Sequence, residues 1–137
     1  MAVTERERKT QENTMKTIRK YGGYVYKNAQ NMYTEKGRPD LCACIPVTVE
    51  RLMEIYGPSK VIGLFVGFEM KRPGHLNEVS DAQKIVGKQI NNAGGVWLAI
   101  DDPLVAESIM IKFTEPNYEL ACEKISKIHI ENHYRLK

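Results

Sequence analysis

No stretch of this sequence approaches the roughly 20 consecutive apolar residues that a membrane-spanning helix needs. The opening residues, MAVTERERKTQENTMK, are charged throughout and have no apolar centre like that of a secretory leader. Three cysteines, Cys42, Cys44 and Cys122, form neither a CxxC pair nor a zinc-ribbon spacing. A large excess of one charge is also missing. Twenty Lys and Arg stand against 17 Asp and Glu, and a net charge of +3 is too small to argue for a nucleic-acid partner alone. No internal repeat, low-complexity tract or Gly/Ser-rich linker divides the chain. These absences lead to an expectation of one cytoplasmic domain over residues 1–137 with no membrane association. What is present agrees: 137 residues can bury a single core, and 42% hydrophobic and 27% charged residues are ordinary for a globular protein.

Periodicity gives an order of elements. Residues from about Thr4 to Tyr21 favour a helix, with Met15, Ile18 and Tyr21 at helical spacing. Thr4 and Glu7 have capping-box spacing, and Gly22-Gly23 ends the segment. YVYK reads as a short strand, NAQNMYTEKGRP as a polar connection and DLCACIPV as a second strand. Cys42 and Cys44 alternate along that strand and read as small buried hydrophobes. TVERLMEIYGPSK suggests one or two helical turns before the β-rich run VIGLFVGFEMK. A helix from about Glu78 to Ala93 presents Ile85, Val86 and Ile90, and Gly94-Gly95 and the strand VWLAI follow. A helix with Pro103 in its first turn and a loosely helical tail from Tyr118 complete a small α/β sheet domain.

The chemistry concentrates where LFVGFEMKRPGH stops being apolar. Strand side chains alternate, so Glu69 and Lys71 share a face with Phe65, while Ile62, Leu64, Val66 and Phe68 are expected to point into a helix-covered core. Charge at the end of a buried strand is expensive unless it is paired or holds a metal. Asp40 opens the strand DLCACIP, and pairing of that strand with the one ending in Glu69 would bring the two carboxylates together. A divalent ion would relieve their repulsion, and oxygen ligands suit Mg²⁺ or Mn²⁺. Lys71 could then orient an attacking water or offset charge developing on a phosphate. Taken singly, a Pro-Asp dipeptide is more often a turn and ExK a solvated pair; their order and apolar context give them weight together.

In this order, KYGGYVYK, GRPDL, FVGFEMKRPG, SDAQ and NNAGGVWLAIDD resemble the VRR-NUC branch of the PD-(D/E)XK nuclease superfamily, particularly its small stand-alone members from phages. The resemblance covers about residues 5–102, with 103–137 as a helical extension and 46–60 as a variable insertion. It implies a central mixed β-sheet flanked by helices. It also implies metal ligands at Asp40, Glu69 and the Met70 backbone carbonyl, a catalytic Lys71, and Gln83 at the site, with Gln89 as a competitor. A first-helix glutamate facing the metal is implied as well; Glu12 is the choice, with Gln11 almost equivalent in place. The activity implied is metal-dependent endonucleolytic hydrolysis of DNA, branched or duplex, leaving a 5′-phosphate. Holliday-junction resolution by a homodimer heads the possibilities; nicking or flap cleavage and a non-catalytic DNA-binding module are the others.

Lys27, Lys36, Arg38, Arg72, Lys84 and Lys88 are candidates to contact phosphates, Arg38 and Arg72 above the rest because they flank the motifs. His75 reads as an exposed loop residue. His129 and His133 have a chelating i, i+4 spacing but no obvious third ligand, and read as an exposed helix end. Tyr24, Tyr26 and Trp97 could stack on bases, although packing explains them more cheaply.

Overall fold

The computed structural model describes residues 4–29, 31–33 and 35–135, with side chains through His129. Helix α1 spans Glu5–Lys20. The expected capping box is present: Glu7 N–H donates to Thr4 Oγ1 at 3.2 Å, and Thr4 N–H to Glu7 Oε2 at 3.2 Å. Gly22, at φ 84°, takes the turn out of the helix, a conformation that costs a side chain-bearing residue. Gly23 follows so close to Ile18 and the Cys44 carbonyl that a Cβ would meet them at 2.7 and 3.1 Å. The half-buried side of α1 is Gln11, Met15 and Ile18, one i, i+4, i+7 stripe; Tyr21, expected on it, is 75% exposed beyond the helix end.

β1 (Tyr24–Lys27) pairs antiparallel with β2 (Leu41–Cys44), in the register Tyr24↔Cys44 through Lys27↔Leu41. α2 (Val49–Tyr56) is capped by Thr48, whose Oγ1 accepts from Arg51 N–H at 3.0 Å. β3 (Val66–Met70), α3 (Asp81–Asn92) and β4 (Val96–Ile100) make a strand–helix–strand crossover. Val96 N–H donates to the Phe65 carbonyl and Lys71 N–H to the Ile100 carbonyl, so both strands rise together and the pair is parallel. α4 (Pro103–Thr114), capped by Asp102, packs on α5 (Tyr118–Arg135).

The chain is thus a small α/β domain, but the four strands among the described residues form two two-stranded sheets where one central sheet was expected. β2 finds its partner in β1, and β3 in β4, so the expected β2–β3 ladder is absent from the described residues. The run expected as strand from residue 61 begins only at Val66; Gly63 interrupts it, since glycine weakens a strand interior. The burial on β3 is also the reverse of the expected one. A Cβ on Gly67 would meet Ile90 of α3 at 3.2 Å, so α3 covers the Phe65–Gly67 face, while Ile62, Leu64 and Phe68 are 51, 49 and 40% exposed.

Contacts divide the chain into two units. Residues 1–67 and 81–98 form the first, with Val25, Cys44, Ile90 and Ala93 buried; residues 68–80 and 99–137 form the second, with Ile100 and Ala121 buried. α3 meets the first unit along Gln83, Gly87 and Ile90, whereas Ile85 is 60% exposed and Val86 38%. Gly87 fixes this choice of face. A Cβ there would lie 2.4 Å from the Trp97 ring, so the indole packs flat on the helix backbone, and packing is the role the structure gives this tryptophan.

Candidate functional site

In the first unit, Asp40 is held by backbone and by one amide. Asn28 is the only buried polar residue among the described ones, at 4% exposure. Its N–H donates to the Asp40 carbonyl at 2.9 Å, continuing the β1–β2 ladder by one step. Its Nδ2 donates to the Pro39 carbonyl at 2.7 Å and to Cys42 Sγ at 3.2 Å, and its Oδ1 accepts from Arg38 Nη2 at 3.3 Å. One side chain therefore binds the Arg38-Pro39-Asp40 turn to the hairpin. Nothing local singles it out beforehand, because an asparagine in a polar connection is an ordinary loop residue. Arg38, expected to contact phosphate, has part of its guanidinium committed to Asn28. Beside the turn, burial pushes the Tyr26 phenol above its ordinary value, and its hydrogen bond with Cys42 adds to the shift.

Asp40 lines an open cavity of about 410 Å³ with Arg6, Glu7, Thr10 and Gln11. Among the described residues, Gln11 Oε1 is buried without a hydrogen-bond partner. An unsatisfied buried carbonyl costs roughly 1–3 kcal/mol, so a donor or cation that met it would be favoured. Glu12, the first choice from sequence, is exposed and does not line this cavity; the 100° step between helical neighbours turns it away and Gln11 inward. Gln83 stands half-buried on the inner stripe of α3, one turn before Gly87. Gln89 is exposed and lines a different cavity of about 380 Å³, with Arg19, Gly22, Gly23, Tyr24, Val25 and Asn92. Lys27, Lys36, Lys84 and Lys88 are exposed.

The second unit holds Glu69 and Lys71. At the end of β3, Lys71 Nζ lies 3.5 Å from Glu69 Oε1, and their side chains are only 15 and 28% exposed. Lys71 N–H donates to the Ile100 carbonyl at 2.8 Å, which ties this strand end to β4. The loop that follows is closed by Gly74 N–H donating to Asp101 Oδ2 at 2.9 Å. Glu78 draws in both Arg72 (3.3 Å) and His75 (2.9 Å), so His75 is less exposed than its loop position suggested. Arg72 is thus held in an exposed pair worth about 0–1 kcal/mol, weak enough for a phosphate to compete for it. Met70 directs its side chain outward at 60% exposure between Glu69 and Lys71. Farther on, His129 Nε2 lies 3.3 Å from Ser108 Oγ, while the His133 side chain lies outside the described residues.

The chain matches no family model, no curated protein and no solved structure. Among the described residues, no group of three or more His, Cys, Asp or Glu side chains is placed to hold a metal. Taken separately, the first unit offers oxygen donors at Asp40 and Gln11 and the second at Glu69 and the Met70 carbonyl; oxygen is the ligand type that Mg²⁺ or Mn²⁺ takes in preference to the nitrogen and sulfur typical of zinc.

Proposed function

We propose that this chain is a Mg²⁺- or Mn²⁺-dependent, structure-specific endodeoxyribonuclease of the VRR-NUC type, with a four-way junction as its preferred substrate and a homodimer as its working form. The observation that carries the reading is the Glu69–Lys71 pair: two opposite charges, half-buried and 3.5 Å apart, at the end of a five-residue strand. A solvated surface pair has no need of that burial, since exposed pairs contribute about 0–1 kcal/mol. The orphaned Gln11 Oε1 beside Asp40 supports the metal, because it leaves a buried oxygen waiting for a positive partner.

In this reading Asp40, Glu69 and the Met70 carbonyl are the groups that would hold the ion. When bound, the ion polarises the phosphodiester and lowers the pKa of its water. Lys71 sets its ammonium beside Glu69, where it orients the attacking water or offsets charge gathering on the phosphate oxygens. Gln83 offers an amide from the inner face of α3. Arg72, released from Glu78, and the exposed Lys27, Lys36, Lys84 and Lys88, with the uncommitted part of Arg38, take neighbouring phosphates without reading sequence. Together these groups have to supply on the order of 20 kcal/mol of barrier reduction for a phosphodiester.

The test is cleavage of a labelled four-way junction, flap, duplex and single strand in Mg²⁺, Mn²⁺ or EDTA. Metal-dependent cutting that falls about a thousandfold in Lys71→Ala, at unchanged thermal stability, is expected. Paired symmetric cuts in the junction mark a resolvase; flap or nick products give the same chemistry on another substrate. A folded wild-type protein that binds these DNAs but cuts none of them in either metal would leave a binding module and end the nuclease reading.

A further inference from the structure

The C-terminal ends of α1 and α3 meet at the cavity of about 380 Å³, which the nuclease chemistry does not use. Every residue lining it belongs to the first unit. α1 contributes Arg19 and α3 contributes Gln89 and Asn92, all exposed and all in the last turn of their helices. Among the described residues none of these three side chains has a hydrogen bond or ion pair, so their polar ends are uncommitted. Tyr24 forms a further wall. Its half-buried ring lies 6.1 Å from that of Tyr26 and 6.2 Å, edge to face, from that of Phe65, which holds it in place. Gly22 and Gly23 put bare backbone where side chains would narrow the space. Among the described residues no carboxylate lines it.

We infer that this cavity takes one unstacked nucleotide of a DNA strand, an amino-bearing base together with its phosphate. The lining selects that chemistry. Helix C-termini carry partial negative charge, and two of them here favour N–H groups over a bare anion. Arg19 beside them repels a bare cation. A ligand that satisfies both has N–H donors at one end and an anion at the other. Amide side chains donate and accept at once, which matches the mixed edge of a base, and Asn or Gln is the usual partner of adenine. Arg19 is the group for the phosphate, with the exposed Lys16 one turn back on the same face of α1. The Tyr24 ring offers a flat apolar wall to the base. The volume is near the lower end of the roughly 300–1,000 Å³ of small-molecule sites, which suits one nucleotide and no duplex. The inference rests on the nuclease reading for DNA as the source of the nucleotide. It deepens that reading, because branch points and flaps offer unpaired bases and an intact duplex does not.

An NMR titration of the isotope-labelled full chain in EDTA tests it without any cleavage. dAMP, raised to about 10 mM, should shift the backbone amides of Gly22, Gly23, Gln89 and Asn92 with a Kd on the order of 1 mM. A short oligo(dA) should shift the same amides and bind about tenfold more tightly, since neighbouring phosphates add contacts. Deoxyribose phosphate, which lacks the base, should bind about tenfold more weakly than dAMP. Arg19→Ala should raise the Kd for dAMP about tenfold, and Gln89→Ala and Asn92→Ala about threefold to tenfold; all three positions are exposed, so the fold should survive. Lys112→Ala, at an exposed position on α4, should leave it unchanged. Lys71→Ala should bind dAMP like the wild type while losing cleavage, so the cavity and the nuclease reading can fail separately. The inference is overturned if dAMP leaves these amides unmoved, or if Lys112→Ala weakens binding as much as Arg19→Ala. Deoxyribose phosphate binding as well as dAMP would reduce the cavity to an anion site and overturn it too. So would a cavity that takes dAMP and rejects oligo(dA), which would assign it to a free nucleotide.

Discussion

Two regions of the first unit are built from the same kinds of residue and end up in opposite conditions. Around Trp97, the glycines at 67, 87 and 95 let strand, helix and indole approach until a single added methyl group would collide. Between Ile45 and Leu64, the apolar Ile45, Val49, Tyr56, Val61 and Ile62 line an open groove and remain half exposed or more. Hydrophobicity sets the drive toward burial, but burial follows only where backbones can come close. The missing side chains around Trp97 achieve as much packing as the bulky ones elsewhere.

The comparison breaks most sharply at Gly87. Gly87→Val should cost about 3 kcal/mol or more in urea unfolding, by forcing helix and indole apart. Val61→Ser, in the open groove, should stay within about 0.5 kcal/mol. Equal costs would mean that the two regions are packed alike. Asn28→Ala comes next, at about 2 kcal/mol, because it strips the Pro39 carbonyl and Arg38 of a buried partner; calorimetry should show weaker Mn²⁺ binding once the Asp40 turn is loosened. Gln11→Met removes the orphaned oxygen and should raise metal-free stability by about 1 kcal/mol while weakening Mn²⁺ binding roughly tenfold. No gain in stability would show that the oxygen already has a partner.

The smallest effect lies at Cys44, buried against Gly95 and yet on the floor of the groove. Burial pushes its thiol above the ordinary value of 9.0, and a backbone hydrogen bond with Gly95 pulls it part of the way back. The folded chain therefore holds the proton more tightly than the unfolded one. That contribution is complete below pH 9.0 and is lost as pH climbs through the folded value. Unfolding between pH 8 and 11 should show the decline in wild type, and Cys44→Ala should flatten part of it.

Local rules made several features legible in advance. The capping box of α1, its glycine stop, the α3 and α4 helices and the position of Lys71 at a strand end all follow from residues within a few places of one another. Distance to Gly94 favours Gln83 over Gln89 in the sequence, and in the structure Gln83 is half-buried while Gln89 is exposed. Legibility failed where a choice depended on partners far along the chain. Ile85 and Val86 suggested the wrong face of α3, since the deciding residue was a glycine, which carries no hydrophobic signal. The resemblance implies a glutamate and so points to Glu12, whereas the direction of α1 toward the Asp40 turn brings the neighbouring amide of Gln11 to the cavity. The expected β2–β3 pairing failed because alternation along a strand says which faces it has and nothing about its neighbour.

The sequence by itself determined where backbone regularity starts and stops, and that one carboxylate, one ammonium and one glutamine sit at element ends. Capping, glycine conformation and side-chain alternation act over a turn or less, so they can be read without a fold. Packing settles that Asn28 anchors Asp40, that Gln11 lines the cavity, that the four described strands divide into two pairs, and that Ile45, Val49, Val61 and Ile62 stay exposed. Each of those depends on which surfaces come within a few ångströms, and that is a property of packing between distant segments.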